Sequence, residues 1–162
     1  MASEQGQGTT FQLYWPTVEE RLPPSDGVHA GDRTLTGSET VLLVEDEDLV
    51  RDLAVDILRD VGYTVLEARD GRDAILKCRQ HAGPIDLLIT DMVMPGMNGK
   101  ELSDLLLSFR PDMRVLYMSG YTDHASLHQD VWENHASFLQ KPFTDLTLTQ
   151  KARDVLDAAQ GE

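Results

Sequence analysis

The chain predicts an α/β fold, a doubly wound five-stranded parallel sheet with five helices, and three observations carry that expectation. From Thr40 onward, short apolar runs alternate with stretches of helical periodicity, the mark of repeated strand-helix units. Two of the runs, Val41-Leu42-Leu43-Val44 and Leu87-Leu88-Ile89, are apolar at every position, so they have no face to offer water and suit a parallel sheet covered on both sides. Each run then stops on acid, Glu45-Asp46 after the first and Asp91 after the second. The carboxyl ends of parallel strands are where such folds open their ligand crevice.

The elements follow in order. The first strand is Thr40–Val44, and the helix after it carries Leu49, Val50, Leu53, Ala54, Ile57, Leu58 and Val61 at three- and four-residue spacings, an apolar face that Gly62 ends. A second strand, Thr64–Ala68, leads through Asp70-Gly71 to a helix with Ala74, Ile75 and Cys78, which stops before Gly83-Pro84. The third strand ends at Asp91. After the loop 92–97, a helix is expected over about 99–109, then a strand over 114–118 closed by Ser119-Gly120. A weakly apolar helix is expected over about 124–133. The fifth strand, Ser137–Gln140, runs into Lys141-Pro142, and a last amphipathic helix spans about 145–158. The flavodoxin-like strand order 2-1-3-4-5 sets the first and third strands side by side, and that adjacency brings Glu45, Asp46 and Asp91 together.

At 162 residues the chain holds one ordinary domain and something extra. The extra is residues 1–38, rich in Gly, Pro, Ser and Thr, with the boundary near Ser38 and the domain over 39–160. A net charge of −14 argues against a nucleic-acid or anionic-membrane surface and suits a cation or a basic partner. The one cysteine, Cys78, has no internal disulfide partner, no apolar run approaches the roughly 20 residues of a membrane span, and no secretory signal is visible. These features point to a reducing, cytoplasmic setting.

Three acids converging on one crevice repel one another, an arrangement that makes physical sense around a hard cation. Acids around a magnesium ion form a place for phosphoryl chemistry. Each acid also has a plainer explanation, since Asp46 or Glu47 can cap the first helix and Asp91 can be a loop acid. Neither explanation accounts for the remaining pattern: Met94-Pro95-Gly96 and Gly99 after Asp91, Ser119 after the fourth strand, and Lys141-Pro142 after the fifth.

In these residues the chain resembles the receiver domain of two-component response regulators, over about residues 39–159. The resemblance implies that Asp91 accepts a phosphoryl group from a phosphohistidine. It implies that Glu45, Asp46, Asp91 and the main-chain carbonyl of Val93 hold Mg²⁺, that Lys141 pairs with Asp91 and then with a phosphoryl oxygen, and that Ser119 donates to another oxygen. Glu45 stands where the family more often has aspartate, one methylene longer. The bond before Pro142 is a candidate cis peptide, since cis costs least there. Phosphorylation would draw Ser119 inward and let Phe138 rotate toward the core, changing the surface made by the fourth and fifth helices and the fifth strand. Phe138 has no hydroxyl, so a tyrosine-like hydrogen-bonded switch is excluded. Val93 and Tyr121 flank the site and are expected to hinder attacking water. His124, His128 and His135 read as solvated side chains, and none sits in a phosphodonor motif, so the donor is a separate kinase or phosphotransfer domain.

Residues 6–16, Gly6-Gln7-Gly8-Thr9-Thr10-Phe11-Gln12-Leu13-Tyr14-Trp15-Pro16, resemble the closing segment of a histidine-kinase ATPase domain. That likeness implies a fragment of a hybrid histidine kinase, with residues 17–38 as tether. The expected activity is self-phosphorylation with slow autodephosphorylation. Two other classes share parts of the pattern: a phosphorylation-independent interaction module, and an aspartate-nucleophile phosphatase, which needs an acid two residues after its nucleophile, where this chain has Val93.

Overall fold

Strands that are apolar on both sides need a packed layer on each face, and the computed structural model of the chain supplies both. It describes residues 2–4, 8–10, 35–120 and 137–158. The chain divides into two units, Met1–Arg33 and Thr34–Glu162. In the first, β1 (Ala2–Glu4) pairs antiparallel with β2 (Gly8–Thr10). The apolar island Phe11 to Trp15 lies outside the described residues.

The second unit alternates strand and helix: β3 (Thr40–Val44), α1 (Asp48–Asp60), β4 (Thr64–Ala68), α2 (Gly71–Gln80), β5 (Leu87–Asp91), α3 (Gly99–Leu107), β6 (Arg114–Ser119), β7 (Ser137–Gln140) and α4 (Asp145–Asp157). The five strands are parallel in the order β4-β3-β5-β6-β7, the expected 2-1-3-4-5 arrangement. Four helices accompany the sheet among the described residues, and the helix expected over 124–133 lies outside them. No helix among the described residues is long and apolar enough to cross a membrane.

The period-two alternation of side chains sends each apolar run into two cores at once. Val41 and Leu43 join Ile89, Met118, and Leu58 of α1 and Leu148 of α4 on one face. Leu42 and Val44 join Leu88, Ala74 and Cys78 of α2, and Leu102 and Leu106 of α3 on the other. Every residue of β5 is buried, which places Asp91 at the end of the central strand.

Helix starts are set locally. The side chain of Asp70 accepts the Asp73 N–H at the head of α2, and capping boxes Asn98/Glu101 and Thr144/Thr147 open α3 and α4. At α1 the N-cap is Glu47 with no side-chain cap bond, so the plainer reading of that acid finds no support. One expectation needs correcting: Leu49 is 79% exposed and Leu53 50%, although both fit the apolar spacing. Leu53 adjoins Ala54, which is fully buried, so the cause is direction: at about 100° per residue Leu49 and Leu53 lie on the side of α1 turned away from the core. The buried stripe is Ala54, Val55, Ile57 and Leu58.

Within this unit, the residues just before β3 are tied to α1 and α4. The Gly37 N–H donates to the Val61 carbonyl (3.1 Å), and Arg153 of α4 pairs with Glu39 at 2.7 Å.

Candidate functional site

Parallel pairing of β3 with β5, in the register Val44 opposite Thr90, puts the two residues after β3 and the last residue of β5 at the carboxyl end of the sheet. There Glu45, Asp46 and Asp91 each offer a carboxylate oxygen, all within 4.8 Å of one another. The donors are hard oxygens without nitrogen or sulfur, which fits Mg²⁺ or Ca²⁺ and disfavours softer metals. Glu45 is 1% exposed and Asp91 8%, whereas Asp46 is exposed and lines an open cavity of about 530 Å³ with Arg69, Arg72 and Met97.

Lys141 arrives from the end of β7. Its Nζ donates to Glu45 Oε2 at 2.6 Å and to Asp91 Oδ2 at 2.7 Å. Its backbone N–H donates to the Ser119 carbonyl (2.8 Å), tying the ends of β6 and β7 together, and the Lys141-Pro142 peptide is cis. One ammonium against three carboxylates leaves the cluster with a net charge of about −2, the charge a divalent cation would neutralise. Burial pushes the Glu45 carboxyl up from its ordinary range, with the Lys141 hydrogen bond and charge opposing. For Lys141, burial works downward as the largest single influence, but the hydrogen bonds and charges of Asp91 and Glu45 together outweigh it and hold the amine above its ordinary value.

The loop after β5 is shaped around Asp91. The Val93 N–H donates to Asp91 Oδ1 (3.3 Å), and the Gly99 N–H returns to the Met92 carbonyl (3.0 Å). A Cβ on Gly99 would lie 2.3 Å from the Asp91 carbonyl oxygen, so only hydrogen fits there. Gly96 has φ of +84°, a left-handed turn that glycine takes at no cost. Val93 is 56% exposed beside Asp91.

Ser119 closes β6 and is 1% exposed. Phe138 in β7 is half-buried, its ring 5.5 Å from that of Tyr117 and tilted by 31°. Tyr117 in turn shares a 2.7 Å hydrogen bond with Ser103 of α3. Tyr121, His124, His128 and His135 lie outside the described residues.

Two contacts had no signal in the sequence. Arg51 donates to the Glu45 carbonyl (3.0 Å), fixing the backbone of the first acid from one turn into α1. Glu45 is the second holder of Lys141, 96 residues away.

Comparison with known proteins gives a consistent picture. A family profile described as "Response regulator receiver domain" matches residues 41–153. Sensor kinase CckA of Brucella abortus is 36% identical over 162 residues, an alignment that takes in 96% of this chain, which spans 17% of that kinase. Response regulator receiver protein CpdR of the same organism is 31% identical over 119 residues, 74% of this chain and 98% of CpdR. The crystal structure of the receiver domain from hybrid histidine kinase CckA superposes with a TM-score of 0.55 at 36% identity, covering 72% of this chain and 98% of that one.

Proposed function

The chain belongs to the response regulator receiver family, and from that premise we propose that it is a phosphoacceptor module of a two-component phosphorelay, taking a phosphoryl group from phosphohistidine onto Asp91. The observation that carries the reading is Lys141 Nζ held within 2.7 Å of Asp91 at the edge of a three-carboxylate cluster.

In the reaction a carboxylate oxygen of Asp91 attacks phosphorus, the P–N bond to the donor imidazole breaks, and the imidazole leaves with its electron pair, forming an acyl phosphate. Glu45, Asp46, Asp91 and the Val93 carbonyl would hold Mg²⁺. When bound, the ion neutralises charge on the transferring group. Lys141 supplies a point charge that passes from the Asp91 carboxylate to a phosphoryl oxygen, and Ser119 donates a hydrogen bond to another. Water later hydrolyses the product slowly, with Val93 crowding its approach. Phosphorylation draws Ser119 inward and lets Phe138 repack, switching the surface of β7, α4 and the segment between β6 and β7.

The likeness to CckA, which takes in 96% of the chain, supports reading residues 1–38 as the end of a kinase ATPase domain plus tether and residues 39–160 as the receiver of a hybrid histidine kinase. Its partner is then a phosphohistidine-bearing kinase or phosphotransfer domain in the cytoplasm, with no nucleic acid involved.

Mass spectrometry after acetyl phosphate and Mg²⁺ tests the reading. It expects one acid-stable, base-labile phosphate on Asp91, absent without Mg²⁺ and absent in Asp91→Asn. Beryllofluoride shifts that spread from Asp91 toward Phe138 support switching. An unmodified protein with an intact fold would leave an interaction module that works without phosphorylation.

A further inference from the structure

Away from the acid cluster, an ion pair joins two parts of the chain 114 residues apart. Arg153 Nη2 donates to Glu39 Oε1 at 2.7 Å and Arg153 Nε donates to Asp157 Oδ1 at 2.9 Å, with the Arg153 and Glu39 side chains only 11% and 27% exposed. Glu39 lies just before β3, where the tether reaches the receiver, and Arg153 belongs to α4.

The residues around this pair are fitted to one another. The Gly37 N–H donates to the Val61 carbonyl (3.1 Å), the Thr64 N–H to the Glu39 carbonyl (3.0 Å), and the Ser38 N–H to Glu39 Oε2 (2.8 Å). A Cβ on Gly37 would lie 2.1 Å from Tyr63 Cε1, so residue 37 rests against the tyrosine ring with no room for a side chain. Residues 37–39 thus fill a groove walled by the end of α1, Tyr63 and α4.

Tyr63 supplies a second, independent observation. It is 3% exposed, and its hydroxyl is buried with no hydrogen-bond partner among the described residues. Buried hydroxyls left unpaired are uncommon and costly. Burial pushes the phenol up, and the charge of nearby Arg153 opposes that push. A guanidinium that left Glu39 would find an acceptor in the Tyr63 oxygen.

The helix that carries Arg153 also faces the switch. Thr147, Gln150, Lys151 and Asp154 of α4 line one cavity with Phe138, and Asp154 is the residue after Arg153. A helix is a rigid element, so a shift of α4 as Phe138 repacks carries Arg153 with it.

We propose that residues 37–39 are a latch seated between α1 and α4, closed while Arg153 holds Glu39 and opened on phosphorylation, when Arg153 turns to the Tyr63 hydroxyl. The switch is thereby coupled to the last residues of the tether, at the end of the sheet opposite Asp91. The inference rests on the phosphoacceptor reading and deepens it, because it names an output within this chain.

Amide hydrogen exchange of the full chain, followed by NMR with and without Mg²⁺ and beryllofluoride, tests the latch. Loading should speed exchange at Gly37 about tenfold, a common size of coupling between sites, and should not speed it at Leu42 in the middle of β3. Glu39→Gln and Arg153→Met hold the latch open, so Gly37 should exchange fast in both states and gain less than about twofold on loading. Coupling is reciprocal, so both variants should also tighten beryllofluoride binding, by up to about tenfold. Tyr63→Phe keeps the ring against Gly37 and removes only the hydroxyl; it should match the wild type before loading and lose most of the acceleration. The wild-type comparison needs no variant, so a folding defect in one of them does not blunt the test. Gly37 exchange that ignores loading, or a Tyr63→Phe protein that keeps the full acceleration, overturns the proposal. A wild type whose amide shifts spread from Asp91 to Phe138 while Gly37 stays protected sinks this inference alone. One that takes up neither ion sinks the phosphoacceptor reading and the latch with it.

Discussion

Gly99→Ala is a one-carbon change with a calculable effect on the site. The added Cβ would sit 2.3 Å from the Asp91 carbonyl oxygen, 3.1 Å from its carbonyl carbon and 3.2 Å from Met92 Cα, all of them backbone atoms. Ordinary carbon contacts are about 3.5 Å or more, so the head of α3 and the end of β5 must part by roughly 1 Å. Overpacking of this kind costs about 1–3 kcal/mol, and the better helix propensity of alanine returns at most about 1 kcal/mol. The expected net loss is about 1–2 kcal/mol, near tenfold in the folding equilibrium. Because the displaced atoms belong to Asp91, the rate of phosphorylation should fall by about 10²-fold, the usual consequence of a 1 Å misplacement. Gly96→Ala is the control: its φ of +84° strains alanine by about 1–2 kcal/mol, but nothing lies within 4 Å of the new Cβ. Urea unfolding followed by circular dichroism gives the stabilities, and mass spectrometry after timed acetyl phosphate exposure gives the rates. The reasoning is refuted if Gly99→Ala keeps the wild-type rate, or if Gly96→Ala loses as much rate as Gly99→Ala.

Lys141→Ala leaves Glu45 and Asp91 buried without a countercharge, and should cost about 2–4 kcal/mol in urea titrations. Millimolar Mg²⁺ should restore part of that loss, and no restoration would contradict the cation reading. Leu88→Ala, at the second position of β5 and 0% exposed, should cost about 2–5 kcal/mol, whereas Leu49→Ala at 79% exposure should change stability by less than about 0.5 kcal/mol. The Arg153 hydrogen bond is the main influence holding the Glu39 carboxyl below its ordinary range. A depressed carboxylate stabilises the fold above its unfolded-state pKa and loses that contribution as pH falls through the folded value. Glu39→Gln should therefore lower stability near neutrality, with the gap to wild type closing in acid; a gap that widens as pH falls would reverse the assignment.

Much of the fold was legible because its signals are local. Three strand ranges, Thr40–Val44, Thr64–Ala68 and Ser137–Gln140, coincide with those expected from the sequence, and each strand-helix repeat carries its own turn chemistry. Alternation pointed to a doubly wound sheet, and the flavodoxin-like order expected for it set the first and third strands together, and with them Glu45, Asp46 and Asp91. Periodicity failed at Leu49 and Leu53, because each four-residue step drifts about 40° around a helix, and these two leucines fall outside the stripe of Ala54, Val55, Ile57 and Leu58.

Sequence alone thus determined which residues end which strands, and so which acids share an edge. The tertiary structure decided how their charge is balanced: that Lys141 lies between Glu45 and Asp91, 96 and 50 residues away, that Glu45 is buried while its neighbour Asp46 is exposed, and that Gly99 must be bare. Backbone pattern is written along the chain. Burial and ion pairing depend on distances across it, which exist only once the strands have been laid side by side.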